Sequence, residues 1–231
     1  MLEFSVEGKY REMAPFTEDF TTTFECNKVN RWQTEEIEIE LPENTLYKNL
    51  NFKYQSGEAG EGYFSMVHQI HNNLVPLNKN AAISIKTKNL DDLFQSKALL
   101  VNINPETGIY RAAGGKYENG RVVGEIKNFG NYAIRIDTIP PTIKPLSIVN
   151  NNTLTEADKI RFTITDDLAG IDQIEGLIDG IWALFEYDAK SNTITHYLDA
   201  ERFEFNKLHQ LQLTVTDTKG NFSVYEATFQ K

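Results

Sequence analysis

A chain of 231 residues, 40% of them hydrophobic, 11% aromatic and 24% charged, can bury one large core or two ordinary ones, which excludes a disordered protein. Its net charge of −10 repels a phosphate backbone, so nucleic acid is not an expected partner, and no apolar run approaches the ~18 residues of a membrane span. The single cysteine, Cys26, excludes an internal disulfide.

Met1 to Glu7 lack the basic start and apolar core of a signal peptide, so the chain is expected either to stay in the cytoplasm or to be a piece of a longer protein. Residues 2–8 alternate like a strand before the charged run Lys9-Tyr10-Arg11-Glu12, and are read as the last strand of a truncated preceding domain occupying 1–8. In Thr23-Phe24-Glu25-Cys26-Asn27, alternation puts Cys26 on the strand face of Phe24, as a buried structural thiol. Strict alternation in Glu36-Ile37-Glu38-Ile39-Glu40-Leu41 turns the apolar residues inward and the glutamates to water. Single helical turns are expected at Pro42 to Tyr47 and Leu90 to Phe94, and strands at residues 65–71, 82–86 and 98–103. Asn119-Gly120, between Lys116-Tyr117 and Val122-Val123, is a two-residue type I′ hairpin signal.

Pro140 and Pro141 remove two successive backbone donors and predict an extended connector at 138–141. Beyond it, strand-like runs at 145–149, 159–165, 171–179, 181–187, 193–198, 208–216 and 222–229, with an Asp179-Gly180 hairpin, have the spacing of an immunoglobulin-like sandwich. The fold class is therefore all-β: two consecutive β-sandwich domains, at 9–137 and 142–231, the second immunoglobulin-like. Ile181, Ala183 and Phe185 against Trp182 and Leu184 make one strand apolar on both sides, which predicts that both its faces are covered.

Aspartates crowd two strand ends, Asp166-Asp167-Leu168-Ala169-Gly170 and Asp217-Thr218-Lys219-Gly220-Asn221. In a sandwich these turns share a pole, and Asp166, Asp167 and Asp217 there form a candidate calcium site, with turn capping as the plainer account. Trp182, Tyr187 and Tyr197 form a candidate sugar-stacking platform, although a sandwich tryptophan is more often core. His68 and His71 are three apart on a strand and so point to opposite faces; with His196 and His209 they are read as surface or strand-end residues that share no metal. There is no nucleophile elbow and no phosphate-cradling loop, and no catalytic residue is assigned.

Gly114-Gly115-Lys116-Tyr117 and Gly130-Asn131-Tyr132-Ala133-Ile134-Arg135-Ile136-Asp137-Thr138-Ile139-Pro140-Pro141 resemble the region downstream of the catalytic domain in M23-type peptidases of the Bacteroides group. So do Asp166 to Ile171, Ile178 to Asp188 and Leu41 to Tyr47, so the likeness spans most of the chain. Members of that family are zinc endopeptidases acting on peptidoglycan, with the metal held by a His, an Asp and a His-X-His pair. This sequence has no His-X-His, so zinc is expected only in a missing catalytic domain and this chain is not expected to be an enzyme. The resemblance implies a non-catalytic accessory region, exported to the periplasm or cell surface within a longer precursor. Its partners would be its own catalytic domain or an envelope polymer or protein. The alternative is a stand-alone carbohydrate-binding or adhesion module.

Overall fold

The computed structural model describes residues 20–154, 159–198, 204 and 206–230. The expected strand at 2–8 lies outside the described residues. Among these residues the structure is all-β and sandwich-like, with a single 3-10 helix at Asp92–Lys97. Asp91 caps that helix, its carboxylate accepting a hydrogen bond from Leu93 N at 2.9 Å. The turn expected at Pro42 to Tyr47 is not helical: Thr45 N donates to Pro42 O and Asn44 takes a positive φ, which breaks the helical path.

Up to residue 137 the strands are β1 (Thr22–Phe24), β2 (Asn30–Gln33), β3 (Ile37–Leu41), β4 (Leu50–Phe52), β5 (Tyr54–Gly57) and β6 (Val67–Ile70). There follow β7 (Pro76–Lys86), β8 (Ala98–Ile103), β9 (Tyr110–Gly114), β10 (Lys116–Glu118), β11 (Arg121–Asn128) and β12 (Gly130–Ile136). They build two five-stranded sheets, ordered β10-β11-β7-β3-β2 and β5-β6-β12-β8-β9, with β1 and β4 as a separate pair. Ile37, Ile39 and Leu41 are buried from one sheet, and Ile70, Tyr132 and Ile134 from the other, in one apolar cluster that includes Phe52 and Phe129. Period-two alternation made these inward faces legible. Asn119 and Gly120 take φ of +49° and +81°, as the predicted type I′ turn requires.

From residue 142 the strands are β13 (Thr142–Pro145), β14 (Asn152–Thr153), β15 (Lys159–Thr165), β16 (Ile171–Ile178) and β17 (Ile181–Ala183). They continue with β18 (Glu186–Asp188), β19 (Thr193–Tyr197), β20 (Leu208–Asp217) and β21 (Phe222–Gln230). The sheets are ordered β13-β15-β19-β18 and β14-β21-β20-β16-β17, and they enclose a second apolar cluster built around Phe162, Ile164, Leu213 and Phe229.

Two expectations need correction here. The strand expected at 145–149 starts earlier, because Thr142–Pro145 pairs with β15 directly after the prolines. Pro145 ends an edge strand, where a missing donor is tolerated. The run expected at 181–187 is two strands in different sheets, crossing at Leu184 and Phe185. Phe185 turns into the core over Gly176, where any Cβ would collide with the Phe185 ring. The chain leaves β17 after three residues at a sheet edge, so Ile181, Trp182 and Leu184 are more than half exposed rather than covered on both faces.

Candidate functional site at the junction of the two halves

The turns at Asp166–Gly170 and Asp217–Asn221 do meet. Thr218 N donates to Gly170 O and Thr218 Oγ1 to Ala169 O, each at 3.0 Å. Asp166 Oδ2 accepts from Leu168 N at 3.1 Å and Gly170 N at 2.7 Å, which closes its turn. Asp217 closes the other: its Oδ1 accepts from Lys219 N and Asn221 N, and its Oδ2 from Asn221 Nδ2.

The predicted grouping of Asp166, Asp167 and Asp217 is thus replaced by another. Asp217 is consumed by its own turn, and the third carboxylate beside Asp166 and Asp167 is Asp137, with ligand atoms of the three within 4.8 Å of one another. Asp137 is itself engaged, Oδ1 by Ile139 N and Oδ2 by Ala169 N. Burial raises its pKa above the ordinary carboxylate range, against those two donors, and the nearby Asp166 and Asp167 charges push the same way. Asp166 Oδ1 is buried without a hydrogen-bond partner. The aspartates act here as caps that bring the two halves together.

A network of buried and half-buried polar groups extends from these caps. Lys97 Nζ, from the end of the 3-10 helix, donates to Lys219 O at 2.8 Å and Asn221 Oδ1 at 2.6 Å. Lys219 Nζ reaches back to Gly115 O at 2.7 Å, and Asn221 Nδ2 donates to Asp137 O at 3.0 Å. Burial lowers the Lys219 pKa below the ordinary lysine value. Beside this network, Leu168 and Ala169 pack on the outer face of the β8–β12 pair, against Leu99, Val101 and Ala133, all fully buried. The connector is tied down as well: Pro141 is buried and its carbonyl accepts from Ser223 Oγ. Sequence reading saw Lys219 and Asn221 only as turn residues and had no signal for Lys97, which lies 122 residues from Lys219.

Trp182, Tyr187 and Tyr197 are 58%, 42% and 52% exposed. Tyr187 and Tyr197 line a shallow depression of about 450 Å³ with Lys159 and Arg161, and Lys159 Nζ stands 4.5 Å from the Tyr197 ring centroid. Trp182 sits in the opposite sheet and does not line that depression.

His71, His196 and His209 do lie at or beside strand ends, but three of the four histidines are buried rather than at the surface. His68, His196 and His209 are buried. His68 Nδ1 pairs with Tyr54 Oη at 2.8 Å, and burial, with Arg121 adding charge repulsion, pulls its pKa down to about 4. His196 Nδ1 donates to Leu184 O, and His209 Nδ1 meets Asp179 Oδ2 at 2.7 Å, at the far end of β16 and β20. His71 follows β6 with φ of +49°, which cancels the alternation and packs its ring edge-on against Phe129. Cys26 is in a turn after β1, not on the strand, because its carbonyl and N–H bond to Asn44 N and Asn49 Oδ1. It is half-buried against the first core.

Fold and junction define an all-β protein whose two halves are joined by specific polar contacts. Residues 21–137, just over half of the chain, match the Zu5-like domain family, and the chain belongs to that family. No curated protein matches it.

Proposed function

We propose that the chain is two consecutive β-sandwich domains, the second immunoglobulin-like, forming a non-catalytic accessory unit of an exported cell-wall zinc endopeptidase. Its task is to hold the catalytic domain at a fixed distance and orientation, or to bind envelope components. The observation that carries this reading is the lock between the halves: Lys97, Lys219, Asn221 and Asp137 bond across the junction while Leu168 and Ala169 bury apolar surface beside them. Independent binding modules on a string have no need of such a joint. The immunoglobulin-like assignment is supported by strand order. With β13, β15, β19 and β18 as A, B, E and D, the facing sheet reads A′, G, F, C, C′, and β14 runs parallel to β21 as A′ does to G.

An immunoblot of source-cell fractions with an antibody to this chain tests the reading. The expected species is much larger than 26.4 kDa and lies in the envelope fraction. A 26.4 kDa species confined to the cytosol would overturn it. The exposure of Trp182, Tyr187 and Tyr197 favours the alternative, a stand-alone carbohydrate-binding or adhesion module.

A further inference from the structure

The outer face of the β5-β6-β12-β8-β9 sheet is covered by Leu168 and Ala169 only toward one end. Toward the other end a groove of about 910 Å³ opens, the size of a small-ligand site. Its composition is unusual: nine of the nineteen residues lining it are Asn or Gln, against two lysines and one glutamate. Three of these amides form a row. Gln55 pairs with Gln69 across β5 and β6, and Gln69 with Asn131 across β6 and β12, so all three side chains leave the same face. Strand spacing makes the row roughly 10 Å long.

Among the described residues, none of these three side chains has a hydrogen-bond partner within the protein, which sets them apart from Asn49, Asn72 and Asn104 in the same lining. Asn104 Oδ1 is occupied by Glu106 N and Thr107 N, and Asn72 Oδ1 by Leu74 N, so those amides shape the loops that wall the groove. The floor keeps its full hydrogen-bonding capacity.

We propose that this groove binds a neutral oligosaccharide, with Gln55, Gln69 and Asn131 as its floor. Each amide offers a donor and an acceptor about one carbon apart, the complement of a hydroxyl, which is both. A row of them reads successive hydroxyls along two sugar rings. The near balance of charge disfavours a polyanion. A peptide held by its side chains favours apolar anchor pockets, whereas Leu50, Tyr54, Val75, Ile103 and Pro105 are the apolar and aromatic residues among the nineteen that line the groove. The inference deepens the envelope-binding reading of the chain and rests on it only in that the glycan is held and not cleaved.

The test is NMR titration of the whole chain with four neutral tetrasaccharides at millimolar concentration: chitotetraose, cellotetraose, mannotetraose and xylotetraose. At least one is expected to shift the side-chain NH₂ signals of Gln55, Gln69 and Asn131. Gln69→Ala/Asn131→Ala should then weaken that binding by about tenfold or more, since two hydrogen bonds are lost. Gln69→Thr/Asn131→Thr, which keeps strand-favouring side chains, should do the same with an unchanged melting temperature. No groove shift with any of the four sugars, or binding that survives both double variants, would overturn the proposal. So would groove shifts produced only by an unrelated peptide pool. Because the immunoblot reads native size and location alone, failure of the accessory reading and failure of this one are separately visible.

Discussion

His68 shows how one buried titratable group couples this fold to pH. Its imidazole is fully buried against Tyr54 and has a folded pKa of about 4, below the ordinary 6.5. A base with a depressed folded pKa costs nothing above its unfolded pKa, where both states are neutral. As pH falls from about 6.5 toward 4 the unfolded chain takes up a proton that the folded one refuses, and stability is lost. The loss should approach about 3 kcal/mol by the lower limit. Denaturant unfolding at a series of pH values checks this, and His68→Gln should flatten the curve over that interval. Arg135 is a second residue defined by its surroundings: its guanidinium lies 4.9 Å from the Tyr63 ring centroid and 4.2 Å from that of Tyr110. Beneath this clamp, Gly62 at φ +81° leaves room that a Cβ would crowd.

At the scale of elements, the turns decide more than the strands do. The Asp217–Asn221 turn joins β20 to β21 and delivers Lys219 and Asn221 to the junction, with Asp217 accepting three hydrogen bonds inside it. Asp217→Ala leaves buried Lys219 and Asn221 N–H groups without acceptors, and should cost about 3 kcal/mol. Asp217→Asn, which retains an acceptor oxygen, should recover part of that loss in the same thermal melt. The β17–β18 crossing is the other decisive element. One apolar run is divided between two sheets by the inward turn of Ala183 and Phe185, and this leaves Trp182 at an open edge.

For the whole molecule, the joint ties the two cores through the hydrogen bonds of Lys97, Lys219 and Asn221. Lys97→Met keeps the aliphatic stem but removes two donated hydrogen bonds, and should cost about 2 kcal/mol at the interface. Scanning calorimetry should show one cooperative transition for the native chain and two separated ones for the variant. A single unchanged transition would mean that Leu168 and Ala169 couple the halves without the polar bonds. The groove proposed to hold a glycan lies wholly on the first half, so its affinity should not follow this loosening.

Local pattern alone determined most strands and both two-residue hairpins. Alternation depends only on the pleat, and Asn-Gly and Asp-Gly turns only on the φ those residues tolerate. It also put the two aspartate turns at one pole, since sandwich connectivity leaves little choice. Tertiary structure decided what those turns are for. Asp137 rather than Asp217 stands beside Asp166 and Asp167, because Asp217 spends both its oxygens on its own turn. His68, His196 and His209 went inside where Tyr54, Leu184 and Asp179, brought close by strand pairing, each meet the Nδ1 of one ring. The amide row emerged only when β5, β6 and β12, separated in the chain by up to some eighty residues, were laid side by side. Contacts of that range carry no local signature, because the sequence near each residue is compatible with many neighbours and only the packed sheet selects one.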